Sequence, residues 1–369
     1  MIASGTTIGG IGVMLAGPFV GRILDRYGSR AVVPIGAMLT GLGCFVLAGV
    51  TVAPMFIVVY AFVRLSGQAF VQFPNQVTVA KWFSRRRGRA SAMLVGLGAM
   101  GLISAPVAVT AIIERYGIGE AWMALGGLAI ILGVLPTLVL GARRPEDIGL
   151  LPDGDVAPPE TEGGGPLATT PTDWTLSEAM RTPAMWLVAL SGALYSLSST
   201  GVGFHQFAYY VAQGISPGTA AAVVSTFAIG LTTGGITWGL LADRVSVRGL
   251  ITLQYALAAG LMLALLNADT PPEAFAISFM SGLLVGGALS MPTLLFANYY
   301  GRGNLGAISG ILQMTRGVSL GSGPVVAALI HDFTGAYSGA FLTFAVLCAV
   351  AFTMMLFARR PVRRAATVA

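Results

Sequence analysis

Long apolar runs alternate with short polar breaks along this chain. Eleven runs of about 20 mostly apolar residues, the length a helix needs to cross a bilayer, fall near 1–21, 31–50, 54–80, 90–112, 121–142, 183–210, 217–241, 249–267, 273–299, 305–330 and 338–358. They are continuous rather than alternating, which excludes a barrel and predicts an all-α polytopic membrane protein. The longest polar break, 143–182, holds PDGDVAPPETEGGGP and reads as a flexible linker. It separates an N-terminal bundle over 1–142 from a C-terminal bundle over 183–358, which a basic tail follows over 359–369. At the linker's end, TDWTLSEAMRTP has the spacing of a short amphipathic surface helix.

Composition agrees with that pattern. Of 369 residues, 55% are hydrophobic and 10% charged, against roughly 25% charged in soluble domains, so a soluble enzyme is excluded. The two cysteines, Cys44 and Cys348, lie inside apolar runs without metal or CxxC spacing; neither a disulfide scaffold, a metal nor a cofactor is expected. No signal peptide is evident, because the amino terminus lacks a basic region and runs into the first span. Of 21 Lys and Arg, eighteen fall in breaks on one side, including Arg22, Arg26, Arg30, Lys81, Arg85, Arg86, Arg87, Arg89, Arg302, Arg363 and Arg364, while the other side holds only Arg115. The positive-inside rule makes the first side, and the carboxyl terminus, cytoplasmic and puts Met1 outside. Topology therefore accounts for the net charge of +6, and no nucleic-acid partner is expected.

The two halves repeat each other. GPFVGRILDRYGSR at 17–30 aligns with GITWGLLADRVSVR at 235–248 at an offset of 218, and KWFSRRRGRASAM at 81–93 with NYYGRGNLGAISG at 298–310 at an offset of 217. Two segments agreeing on the offset indicate a duplication. The same offset places the partner of the 183–210 span upstream of Met1, so one helix of the repeat is expected to be missing.

The Gly21-x-x-x-Asp25-Arg26-x-Gly28-x-Arg30 loop resembles the signature loop of the major facilitator superfamily; its copy has Gly239, Asp243 and Arg244, with Ser246 in place of the second glycine. The basic stretch from Lys81 to Ala90, the segment from Arg144 to Leu150 and the stretch from Trp174 to Ala179 are similar to the bacterial monocarboxylate-transporter and oxalate–formate-exchanger branch. The resemblance implies two pseudo-symmetric bundles rocking about a central site, with family helix one absent here. It also implies that the Asp25 and Asp243 loops are gates, latching the bundles on the cytoplasmic side when the cavity faces out, each aspartate set against a helix amino terminus. In that branch an acid and an arginine on family helix eight take part in proton symport. Leu231 and Gly235 stand at those positions here, so exchange or uniport of an organic anion is expected instead.

Ionisable side chains at membrane depth are costly and mark function. Only Arg64 and Arg316 qualify, and all fifteen Asp and Glu fall in loops or span ends. Two unpaired guanidinium groups would hold a carboxylate; bonding to helix carbonyls is the other use open to them. Gln68, Gln72, Asn75 and Gln76 continue the Arg64 face at helical spacing. Ser309, Gln313 and Arg316 form a similar face, as do Ser191, Tyr195, Ser198, His205 and Tyr209. Such stripes face a wet cavity or form interhelical seams. His205 would carry a proton or hydrogen-bond within the wall. Gly96-x-Gly98-x-x-Gly101 has dinucleotide-motif spacing but sits inside an apolar span, so it is a packing surface, as is Gly17-x-x-x-Gly21. The expected function is transport of a small organic anion by a non-enzymatic, monomeric carrier in the cytoplasmic membrane, without catalytic residues. Efflux of a neutral or amphipathic compound, and an inactive truncated carrier, are the alternatives.

Overall fold

The computed structural model describes residues 2–155 and 173–362 and is built from helices. The Pro-rich middle of the linker, 156–172, and the tail residues Arg363 and Arg364 lie outside the described residues. The N-terminal half contains α1 (Ile2–Tyr27), α2 (Ser29–Ala48), α3 (Ala53–Ser66), α4 (Phe73–Trp82), α5 (Arg87–Tyr116) and α6 (Ile118–Leu140). The C-terminal half contains α7 (Leu176–Met180), α8 (Pro183–Ala212), α9 (Pro217–Ala242), α10 (Val247–Leu265), α11 (Pro271–Ala288), α12 (Met291–Tyr300), α13 (Leu305–Thr334) and α14 (Ser338–Phe357). α3 with α4, and α11 with α12, each act as one span, and ten spans among the described residues are long and apolar enough to cross a membrane.

The predicted span at 305–330 forms the 30-residue helix α13 but is not among those ten. Ser309, Gln313, Arg316, Ser319 and Ser322 dilute its apolar surface. Protein encloses it instead, with α1 on one side and α8 on the other. A second departure lies between α3 and α4, where Gly67–Gln72 is π-helical and the N–H of Phe73 bonds back five residues to the Gln68 carbonyl. Pro74 has no N–H to give and its ring would crowd the preceding turn, and a widened turn accommodates both demands. The extra residue rotates everything after Gln72 relative to Arg64.

Packing follows the repeat. α1 lies on α3 as α9 lies on α11, and α2 lies on α6 as α10 lies on α14. Across the halves α1 packs against α13, and α5 against α9. The larger buried cluster mixes Val20, Leu24, Phe73 and Val77 with Met291, Phe296, Leu305 and Ile308, so one apolar core crosses the boundary between halves. A second cluster with Tyr210, Phe341 and Phe344 belongs to the C-terminal half alone. There α8 packs on α13 and α14. No described helix does the same for α5 and α6, whose most apolar windows are 6% buried each, against 50% in α8.

The described ends of the linker are docked, although their composition suggested a flexible tether. Thr175 and Glu178 form a reciprocal capping box that starts α7. Trp174 packs edge-on against Tyr300. Arg302 donates to Glu146 at 3.0 Å and to the Lys81 carbonyl at 2.9 Å, while its backbone N–H donates to Asp173. Asp153, in a left-handed conformation with φ 68°, accepts from the successive backbone N–H groups of Ser84, Arg85 and Arg86.

Candidate functional site

Asp25 sits on the last turn of α1 and reaches the other half of the molecule. Its carboxylate accepts from the N–H groups of Gly306 at 2.8 Å and Ala307 at 2.7 Å, and from Lys81 Nζ at 2.5 Å. Those amides open α13, where first-turn donors lack intrahelical partners and the dipole favours an anion. Asp243 makes the matching contact, accepting from Gly88 N at 2.6 Å and Arg89 N at 3.1 Å in the first turn of α5. Close backbone approach makes both contacts reachable. A Cβ on Gly21 would run into the Gly306 carbonyl, and one on Gly88 into the Gly239 carbonyl. Gly28 takes φ 76° to turn α1 into α2 against Arg143. Arg26, Arg30 and Arg244 are exposed. The latch uses Lys81, Gly88 and Gly306, none of which sequence reasoning assigned to it; the repeat located the aspartates but carried no signal for their partners.

Arg64 and Arg316 occupy the middle of α3–α4 and of α13. The Arg64 Nε is buried without a hydrogen-bond partner, and its Cβ lies against Gly9 of α1. Arg316 interacts electrostatically with Tyr195 of α8 and Tyr255 of α10, two buried rings stacked with centroids 5.0 Å apart. Among the described residues neither arginine has a carboxylate partner. Tyr255 went unnoticed in the sequence because it forms no polar stripe at helical spacing along α10. Gln313 roots in the α1–α13 seam beside Gly17, and Ser309 is buried with an unpartnered hydroxyl.

A cavity of about 290 Å³ opens between the halves, lined by Gln72, Asn75 and Gln76 from α3–α4, Ser91 from α5, Thr232 from α9 and Ser290 at the α11–α12 joint, with apolar side chains between them. Gln68, one turn nearer Arg64, is not part of that lining. The remaining predicted residues are spent inside the C-terminal half. His205 Nε2 pairs with the Pro324 carbonyl at 3.0 Å, and its ring packs on Tyr337. The Tyr209 hydroxyl donates to the Leu265 carbonyl at 2.8 Å within the second core cluster.

Two helical halves related by a repeat, joined at one face and enclosing a cavity with carboxamide and hydroxyl groups in an apolar wall, define a membrane carrier of small molecules. The sequence profile of the Major Facilitator Superfamily matches residues 1–213 and 191–369, and the chain belongs to that superfamily. It is similar to YhjX, an uncharacterized transporter of that type from Escherichia coli, 25% identical over 321 residues that cover 84% of this chain and 73% of the relative. It is also similar to monocarboxylate transporter 11 of Mus musculus, 29% identical over 342 residues, 89% of this chain and 72% of the relative. Among solved structures, the Escherichia coli fucose:proton symporter FucP superposes with a TM-score of 0.71 over 98% of both chains at 13% identity, which shows the shared fold. The protein is thus a multi-pass membrane transporter.

Proposed function

We propose that this transporter moves a small organic anion, a mono- or dicarboxylate, across the cytoplasmic membrane by alternating access. The observation that carries the reading is Arg316, a guanidinium midway along α13 within electrostatic reach of Tyr195 and Tyr255, with no acidic partner among the described residues. A cation held there without a counter-charge is costly, and a substrate carboxylate would supply the missing charge through a bidentate contact. Arg64, with its unpartnered Nε, is the second anchor; Gln68, Gln72, Gln313 and Tyr195 complete the polar surroundings. The name of the mouse relative, a monocarboxylate transporter, agrees with this chemistry. With no carboxylate in the spans, exchange or uniport is favoured over proton symport. The positive-inside rule assigns the latched face to the cytoplasm, so this conformation corresponds to the outward-facing half of the cycle. The contacts of Asp25 and Asp243, with Gly21, Gly28 and Gly239 shaping the backbone and Arg26, Arg30 and Arg244 around them, form the gate.

Uptake of labelled lactate, pyruvate, formate and oxalate into proteoliposomes tests the proposal. Arg316→Gln should raise the KM of the transported acid about tenfold or more, with unchanged yield of folded monomer. Equal kinetics in the variant, or no flux of any carboxylate alongside resistance to hydrophobic drugs in cells, would overturn it.

A further inference from the structure

The cavity between the halves has a chemistry unlike that of the arginines. Its lining contains no charged residue. Three carboxamides, Gln72, Asn75 and Gln76, and the hydroxyl of Ser290 face it, and among the described residues none of these four side chains is spent on a hydrogen bond within the protein. Gln72 follows Arg64 by eight residues on one span, roughly 12 Å along the axis. The space, about 290 Å³, is roughly that of ten water molecules in the liquid, far more than formate or oxalate would fill.

We infer that this cavity is a neutral hydrogen-bonding subsite that selects the tail of the substrate, so that the transported acid is a monocarboxylate bearing several hydroxyl or carbonyl groups. The inference rests on the anionic reading above for the carboxylate end only. The physical reason is a difference in desolvation. A second carboxylate entering this cavity would give up its hydration without meeting a cation. An aliphatic tail would meet Leu94, Val95, Leu231 and Leu289, but it would strip water from three carboxamides and a hydroxyl without replacing those bonds. A hydroxylated tail replaces those waters bond for bond. Carboxamides suit this task because each offers two donors and an acceptor, and therefore reads both faces of a hydroxyl.

Four probes of equal chain length separate the possibilities: gluconate, hexanoate, adipate and the neutral polyol glucitol, titrated calorimetrically into the full-length protein. Gluconate should bind at least about tenfold tighter than hexanoate or adipate, as one or two well-formed hydrogen bonds allow. Asn75→Leu and Gln76→Leu, singly and together, should abolish that preference while leaving hexanoate binding unchanged, with a size-exclusion profile like the parent's as the check on folding. Arg316→Gln should weaken all three acids by the same factor. Adipate or hexanoate binding as tightly as gluconate, a preference that survives both leucine variants, or no binding by any probe overturns the subsite. Glucitol binding as tightly as gluconate, insensitive to Arg316→Gln but lost in the leucine variants, upholds the subsite and removes the anionic reading.

Discussion

Asp25 and Asp243 are copies of one another and perform the same contact in different surroundings. Each carboxylate caps the first turn of a helix in the opposite half, α13 for Asp25 and α5 for Asp243. The Asp25 copy adds a buried ion pair with Lys81, the side chains being 10% and 7% exposed. In the second copy the repeat puts Asn298 where Lys81 stands. Asn298 accepts from Arg87 instead, and among the described residues the one cation within ion-pair distance of Asp243 is Arg89, 3.8 Å away and 60% exposed. A solvated pair of that kind contributes little, whereas breaking a buried pair strands a charge. The duplication therefore kept the contact across the halves, two backbone amides for each carboxylate, and let its support diverge: Asp25 is also held within its own half by Lys81 of α4, and Asp243 has no such buried pair.

The contrast can be broken at four levels. The largest effect should come from Gly88→Val, since a Cβ there meets the Gly239 carbonyl and the Asp243 carboxylate. Spin labels at the exposed positions Tyr27 and Val245 should report a wholly separated basic face, and an unchanged distance would show that the seam tolerates bulk. Asp25→Asn comes next. Leaving Lys81 buried and unpaired should destabilise the latched state by about 3–5 kcal/mol, and adding Lys81→Leu should recover much of it; no recovery in the double variant would remove the ion pair from the account. Asp243→Asn should cost less, about 1.5–3 kcal/mol for charge-assisted bonds to two amides, and an equal or larger loss than at Asp25 would reverse the ranking. The smallest effect concerns the linker. Burial pushes the Asp153 carboxyl up, but the N–H groups of Arg85, Arg86 and Ser84 outweigh it and hold the group below the usual carboxylate range. A depressed value means that docking contributes fully above the ordinary carboxylate value, about 3.9, and is lost as pH falls through the lower, folded value. Amide exchange at 84–86 should thus stay slow at neutral pH and quicken only below about pH 4, while Asp153→Ala should quicken it at all pH.

These comparisons also show how much was legible beforehand. Helices, spans and their division into halves follow from local composition, and ten spans appear where apolar runs predicted them. The exception by composition is α13: Gln313, Arg316 and its serines lower its apolar character, and it packs between α1 and α8. The stripe from Arg64 to Gln76 assumed a uniform 3.6-residue period. The turn before Pro74 is π-helical, and of the stripe Gln72, Asn75 and Gln76 share a cavity while Gln68, one turn away, does not reach it. His205 and Tyr209 matched a helical face equally well, but their partners, the carbonyls of Pro324 and Leu265, are 119 and 56 residues away. Nothing local announces such pairs.

By itself the sequence determined where the chain can meet lipid, which side gathers positive charge, that the halves are copies, and that two aspartates recur at equivalent ends. Those properties depend on residue type and spacing, which act locally. Only the tertiary structure decided that Lys81 belongs to Asp25, that Tyr255 stacks on Tyr195, that Asp153 docks on the basic loop, and that the carboxamides line an uncharged cavity. Each of these is a meeting of distant segments, set by helix packing and by one π-helical turn rather than by any neighbour along the chain.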